Sequence, residues 1–236
     1  MLLHAPWEKP GSFGELLRER GASVVPFRLD TGARLPDPED IDAVLAMGGP
    51  MSVNDPLPWI RREKEFIRRA VDRGIPFFGV CLGAQLLASA FGASVRPAQA
   101  HYGMHTAHLA QGAFDDPVFG GLPRSLRVFQ WHGENFGLPA GATRLADSPG
   151  CPNEAIRIGA TAYAVQFHLE LDLRLLAEWL DTPACASELT RSFGPDGVDR
   201  VTAQLMTEAV RLERYARRVF GGWVDLVARR APVTSP

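Results

Sequence analysis

The sequence predicts an α/β fold: an open, mostly parallel central sheet with helices on both faces, followed by a helical C-terminal extension. Two observations predict it. Short, wholly apolar runs alternate with amphipathic stretches as far as Gly92, and the segment beyond Leu171 carries apolar stripes at helical spacing. Strand followed by helix, repeated, implies right-handed crossovers and a parallel sheet covered on both sides.

Met1-Leu2-Leu3 reads as the first strand, and a helix over residues 12–20 closes at Gly21. A second strand follows over 23–29. The run Ala43-Val44-Leu45-Ala46-Met47 has no polar residue, as expected of a strand buried on both faces, and it ends in Gly48-Gly49-Pro50. Residues 59–73 place Trp59, Phe66, Ile67, Ala70 and Val71 on one helical face, and Gly74 ends that helix. A buried strand at 76–80 leads into a helix at 83–91 that stops at Gly92.

Between 94 and 167 the pattern changes to shorter, alternating runs (125–131, 155–158, 162–167) separated by Gly, Pro and Asn, which suggests antiparallel additions to the sheet. Leu173, Leu176, Ala177 and Leu180 then form one stripe. Val198, Val201, Leu205, Ala209, Leu212 and Phe220 form another on a long helix. The expected organisation is a domain over 1–180 and a helical extension over 181–236. The extension packs on the domain or forms an interface, such as that of a homodimer. Residues 231–236 are expected to fray.

Composition narrows the class. The chain has 236 residues, 46% hydrophobic and 22% charged, which is ordinary for a globular protein. A formal charge of -2 gives no electrostatic case for nucleic acid or an anionic membrane surface. No apolar run approaches the roughly 20 residues of a membrane span, and MLLHAPWEKPG lacks the basic start and apolar core of a signal peptide. Three cysteines, Cys81, Cys151 and Cys185, do not make a disulfide framework. A reducing cytoplasm is the expected location.

Pro76-Phe-Phe-Gly-Val-Cys81-Leu-Gly-Ala-Gln85 joins an apolar strand to a cysteine, a glycine and a helix. A side chain on so sharp a turn is thrust up at the carboxyl end of the sheet, where α/β proteins bind ligands. The apex needs an unfavourable backbone conformation, and Gly79 and Gly83 relieve the crowding on either side. The positive end of the helix dipole lies beside a thiolate placed there, and the N–H of Leu82 points where a tetrahedral oxyanion would form.

A cysteine nucleophile needs a base. Of six histidines, His168 stands out in Tyr163-Ala-Val-Gln-Phe-His168-Leu-Glu170 because it ends a strand with a carboxylate two residues on. On extended backbone, residues i and i+2 project to the same side, so Glu170 can hold the imidazole.

These runs resemble the class I (triad) glutamine amidotransferases, most closely the stand-alone domains similar to the GMP synthetase glutaminase domain. Leu169 stands where that family more often has proline. The resemblance spans roughly residues 1–180 and implies a flavodoxin-like fold with a catalytic triad of Cys81, His168 and Glu170. It implies that Gly49, in the loop after the third strand, supplies an oxyanion N–H beside that of Leu82, with Gly48 next to it. Gln85 would contact the bound glutamine. Gln130-Trp-His132-Gly133-Glu-Asn resembles the family's Ser-His-Gly-Asp segment, so His132 and Gly133 would lie beside the substrate. Tyr102 falls in a further stretch that borders the site, where relatives often carry glutamate at the position of His101. His132 is not read as the base, because no suitably spaced carboxylate is read on a strand after it.

His101, His105 and His108 have spacings that would align on a helix, but Gly103 interrupts and residues 106–109 look extended, so no metal is expected there. The implied half-reaction, hydrolysis of the glutamine amide, needs neither metal nor nucleotide cofactor. Ammonia would pass to an acceptor outside the 236 residues, on a separate synthetase or aminase subunit. Two other readings share the motifs: a γ-glutamyl peptide or amine hydrolase with the same triad, and a non-catalytic regulator that binds glutamine or a partner.

Overall fold

Apolar strands that face helices on both sides set the architecture. A computed structural model describes residues 1–229; the fraying expected at 231–236 lies outside the described residues. One nine-stranded sheet runs in the order β2-β1-β3-β4-β9-β8-β7-β5-β6. Its parallel half comprises β1 (Leu2–Leu3), β2 (Phe27–Arg28), β3 (Val44–Ala46), β4 (Phe77–Val80) and β9 (Ala162–Val165). The antiparallel half comprises β5 (Val95–Leu109), β6 (Ser125–Phe136), β7 (Thr143–Ser148) and β8 (Cys151–Ile158).

Period-2 alternation on β4 sends neighbouring phenylalanines to opposite faces. Phe77 packs among α2 (Pro58–Asp72) and α3 (Leu82–Ala90), with Ile60, Phe66, Ile67 and Leu86. Phe78 points to the other face and meets Phe13 of α1 (Gly11–Glu19) edge-on at 5.8 Å and Phe220 of α6 (Gly197–Ala228) at 5.3 Å. Phe13 and Phe220 stack at 3.9 Å. Removing either ring to alanine would cost about 3–5 kcal/mol. The end of the 32-residue α6 is thus part of the core beneath the parallel strands.

Some local expectations need correction. The second strand is only Phe27–Arg28, because residues 23–25 are exposed and unpaired with β1. The apolar face of α4 (Leu173–Leu180) is Leu175, Leu176 and Trp179, with Leu173 and Ala177 turned to solvent. That helix starts where Asp172 accepts from Leu175 N at 2.7 Å, so the cap sets its phase. An additional helix, α5 (Pro183–Phe193), opens with proline at its first turn and lies near the carboxyl ends of the parallel strands.

β6 is longer than its alternating core, running to Phe136 rather than to Trp131. It also curls back: Phe129 bridges His168, whose N–H donates to the Phe129 carbonyl at 2.8 Å. That bridge brings β6, at the far edge of the sheet, against the segment just after β9, and sets the Trp131 carbonyl 3.7 Å from the Cys81 sulfur.

Candidate active site

Cys81 sits between β4 and α3 with φ 50 and ψ −105, and it is the one non-glycine residue with positive φ among the described residues. Such a conformation costs roughly 1–3 kcal/mol and persists only when its surroundings over-determine it. Here they do. Cys81 N donates to Val165 O at 2.9 Å, Gly83 N to Met47 O at 3.1 Å, and Gln85 N to Cys81 O at 3.0 Å. A Cβ on Gly79 would lie 2.6 Å from the Gly83 backbone, and one on Gly83 would strike the Ala46 carbonyl. The turn tolerates no side chain at either position.

His168 lies just past the end of β9, held in extended form by its bridge to Phe129 rather than by the strand itself. The i, i+2 spacing brings the imidazole and carboxylate together: His168 Nδ1 is 2.6 Å from Glu170 Oε1, with both side chains buried. Since Nδ1–H donates to the carboxylate, the lone pair of the neutral ring is on Nε2, which is buried without a hydrogen-bond partner. Trp179 walls the ring edge-on at 5.0 Å. Burial works against a charged imidazole, but the charge and hydrogen bond of Glu170, with the Cys81 sulfur close by, hold the His168 pKa well above its usual value. Cys81 Sγ also touches the Trp131 carbonyl at 3.7 Å and accepts from Gln166 Nε2 at 3.5 Å.

Gly48 and Gly49 follow β3 directly. Gly49 abuts Leu82, since a Cβ there would come within 2.7 Å of Leu82 Cδ2 and 2.8 Å of His4 Cβ. A Cβ on Gly48 would meet Glu8 Oε2 at 2.5 Å and His168 Cε1 at 3.4 Å. His4 holds the loop from beneath: its Nδ1 is 2.9 Å from the Gly48 carbonyl and its Nε2 is 2.9 Å from Glu63.

The cleft above Cys81 has a volume of about 260 Å³, suited to a small molecule rather than a polymer. Gln85, Tyr102, His132 and Gly133 all border it. Gln85 is anchored, donating to the Glu134 carbonyl at 3.3 Å and to Gln166 Oε1 at 3.2 Å. Tyr102 stands edge-on to Trp131 at 5.6 Å. A carboxylate does follow His132 on a strand, contrary to the expectation, because β6 extends through Glu134. That carboxylate is turned away to accept from Ser52 Oγ at 2.9 Å, and His132 Nδ1 meets the Glu134 main-chain carbonyl at 3.1 Å instead. Burial, with His101 nearby, depresses the His132 pKa to about 3, so this ring is neutral and is no counterpart of His168.

Three groups near the thiol were not legible in the sequence. Glu8 is buried against Gly48, and burial pushes its carboxyl up to about 7 while the His168 charge pulls the other way. A single glutamate in an N-terminal loop reads as a surface charge. Glu188 on α5 accepts from Trp131 Nε1 at 2.7 Å and borders the cleft with Cys185, so the segment beyond residue 180 helps to line the site. Gln166 lies inside the quoted Gln-Phe-His phrase, yet nothing in the spacing says that it bonds the sulfur. The histidine triplet divides: Gly103, at φ 83, bends the strand so that His101 and His105 stack at 4.7 Å, while His108 bonds Ser125 at 3.1 Å.

Comparison with known proteins points to one family. The profile of the family described as glutamine amidotransferase class-I matches residues 13–180. The glutamine amidotransferase-like protein YfeJ of Salmonella typhimurium is 30% identical over 176 residues, covering 72% of this chain and 74% of that protein. The glutamine-hydrolyzing GMP synthase of Thermomicrobium roseum is 31% identical over 182 residues; the match covers 72% of this chain but only 32% of the synthase. Among solved structures, a glutamine amidotransferase from Thermotoga maritima superposes with a TM-score of 0.84 at 28% identity, covering 96% of this chain and 95% of the other. Among the described residues, no helix is long and apolar enough to cross a membrane.

Proposed function

The chain belongs to the class-I glutamine amidotransferase family, and on that premise we propose that it hydrolyses the side-chain amide of glutamine in a reducing cytoplasm and delivers the ammonia to a separate acceptor subunit. One observation carries the reading: a cysteine in a strained strand-to-helix elbow stands beside an imidazole whose far nitrogen is fixed 2.6 Å from a buried carboxylate. Fold alone would not justify it.

In the proposed reaction the Cys81 sulfur attacks the γ-amide carbon, and the carbonyl electron pair moves onto oxygen. The N–H groups of Gly49 and Leu82 hold that oxyanion. Collapse expels the amine, which takes a proton from His168 and leaves as ammonia, giving a γ-glutamyl thioester. His168, now neutral, removes a proton from water. Hydroxide attacks the thioester, the C–S bond breaks, and glutamate leaves with the thiol restored. Glu170 keeps the ring in one tautomer throughout. Gln85, Tyr102, His132 and Gly133 border the space for the amino-acid end of the substrate, while Gly48 does not line that cleft and instead meets His4 through its carbonyl.

The test is a glutaminase assay on the isolated chain and on the chain recovered with partners from its source, with γ-glutamyl peptides and amines as competing substrates. Ammonia release from glutamine that rises with a co-purified subunit, together with stoichiometric labelling of Cys81 by a glutamine-mimicking electrophile, supports the proposal. Faster cleavage of γ-glutamyl peptides by the isolated chain replaces it with a γ-glutamyl hydrolase. Failure of both turnover and labelling, with or without the partner, leaves a binding regulator.

A further inference from the structure

Behind the wall of the cleft, three side chains converge in a way that the triad chemistry does not use. His101 on β5 and His132 on β6 are direct cross-strand partners, with ring centroids 5.3 Å apart. Glu154 on β8 lies against them with its side chain fully buried. One ligand atom from each of these three residues lies within 4.8 Å of the others. Each residue also has one buried atom without a hydrogen-bond partner: His101 Nδ1, His132 Nε2 and Glu154 Oε2. An unmet buried polar atom costs about 1–3 kcal/mol. Three converging residues that each carry such an atom point to a ligand.

The surrounding bonds define what that ligand must be. His132 Nδ1 faces the Glu134 carbonyl, an acceptor, so Nδ1 carries the proton and Nε2 presents a lone pair. On Glu154, Oε1 already accepts from Gln130 Nε2 at 2.7 Å and from Ser148 Oγ at 2.6 Å, which fixes the carboxylate and leaves Oε2 directed elsewhere. A metal-binding imidazole usually donates its other nitrogen to a carbonyl, and a ligating carboxylate is held by its own hydrogen bonds. His132 meets the first condition and Glu154 the second.

We propose that His101, His132 and Glu154 form a binding site for a divalent transition-metal ion of the zinc class. Two imidazole nitrogens and one carboxylate oxygen suit Zn2+, with water in the fourth position. Tetrahedral coordination needs ligand atoms about 3.3 Å apart, so an ion would draw the side chains closer than the 4.8 Å within which they now lie. The site differs from the alignment of His101, His105 and His108 suggested by spacing, because the sheet, not a helix, selects the partners. An ion there would pin β6 to β5 and β8, just behind the Trp131 carbonyl that meets the Cys81 sulfur.

The test uses untagged protein stripped with a chelator, dialysed against Zn2+ or Co2+, and read by metal analysis and cobalt visible absorption. One equivalent per chain is expected, with nitrogen- and oxygen-ligated cobalt bands. Glu154→Gln and His101→Asn should each weaken binding at least about 100-fold, while His108→Asn, whose ring bonds Ser125 instead, should leave it unchanged. Should those variants fail to fold, anomalous density at the zinc edge in crystals of the unaltered protein decides the matter. Density bonded to these three side chains upholds the proposal. Absence of stoichiometric binding, or an ion bound elsewhere, overturns it. Either result leaves the glutaminase reading intact, since no step of that reaction runs through the ion.

Discussion

His4 bonds the carbonyl of Gly48 through Nδ1 at 2.9 Å while its other ring nitrogen meets Glu63 at 2.9 Å, all of it buried. Both partners are acceptors, so both ring nitrogens must donate, and His4 is an imidazolium beneath the glycine loop. Burial opposes that charge, but Glu63 and the Gly48 carbonyl outweigh it and raise the pKa above 6.5.

A raised histidine pKa fixes the sign of the pH effect. The stabilisation from His4 is complete below about 6.5 and is lost as pH rises through the folded-state value. His4→Gln should therefore destabilise most in acid and least in alkali, as thermal unfolding from pH 5.5 to 9 will read. Breaking such a buried pair costs about 3–5 kcal/mol at the low-pH end. A positioning role for the loop predicts in addition a fall in kcat larger than any change in KM. A pH-independent stability loss with unaltered kcat would refute the assignment.

Glu8 should behave in a related way for a different reason. Its carboxyl titrates near 7 because it is buried without a counter-charge bonded to it, and Oε2 lacks a partner. Raised from 4.5 to about 7, at about 1.4 kcal/mol per pH unit, the group costs about 3 kcal/mol of stability once ionised. That cost is absent below pH 4.5 and complete above pH 7. Glu8→Gln mimics the neutral form, so it should raise the melting temperature at pH 8 and leave it unchanged at pH 4.5. Equal melting temperatures at pH 8 would show that the carboxylate is solvated or paired.

The elbow makes a prediction about strain. At φ 50 any Cβ is unfavourable, so Cys81→Gly and Cys81→Ala both remove the thiol but only the first relieves the backbone. We expect both variants to lose glutaminase activity by at least about 10³-fold, with the glycine variant the more stable by about 1 kcal/mol. Chemical denaturation of the two inactive proteins isolates the strain. Greater stability for the alanine variant would show that the turn is not held against its preference.

Most of the parallel half was legible, because runs such as residues 43–47 and 76–80 admit no other reading than buried strand. The elbow at Cys81 and the contact between His168 and Glu170 were legible for a similar reason: both lie in local patterns whose geometry follows from sequence spacing. What escaped depends on packing between distant segments. The end of β6 was missed because Gly133 and Asn135 weaken the strand signal, and with it went the position of Glu134. Glu8, Gln166 and Glu188 acquire their places only when the N-terminal loop, the stretch after β9 and α5 meet over Cys81. Burial of a charge by remote segments leaves no periodicity to read.

Two glycines near the cleft should respond differently to alanine. Gly49 has Leu82, His4 and Met51 all within 3.0 Å of where a Cβ would lie, whereas Gly133 has only Ala100 at 3.9 Å. Gly49→Ala must displace the loop proposed to hold the oxyanion, and a fall in kcat of about 10²-fold is expected. Gly133→Ala should fold normally, with stability changed by less than about 0.5 kcal/mol, and alter KM alone. Similar kinetics for both would remove Gly49 from the oxyanion hole.

Glu170→Gln tests the imidazole's partner with little change of shape. Glutamine can still accept from Nδ1, but the negative charge that helps raise the His168 pKa is gone. The imidazolium then persists only to a lower pH, so the descending alkaline limb of kcat/KM, which marks its loss, should move toward acid. The rate should fall by about 10²–10⁴-fold, as when the orienting acid of a triad is neutralised. Both effects must appear together. A loss in rate with an unmoved alkaline limb would mean that Glu170 shapes the pocket without governing the charge on His168, and the carboxylate would then be a scaffold rather than the third member of the triad.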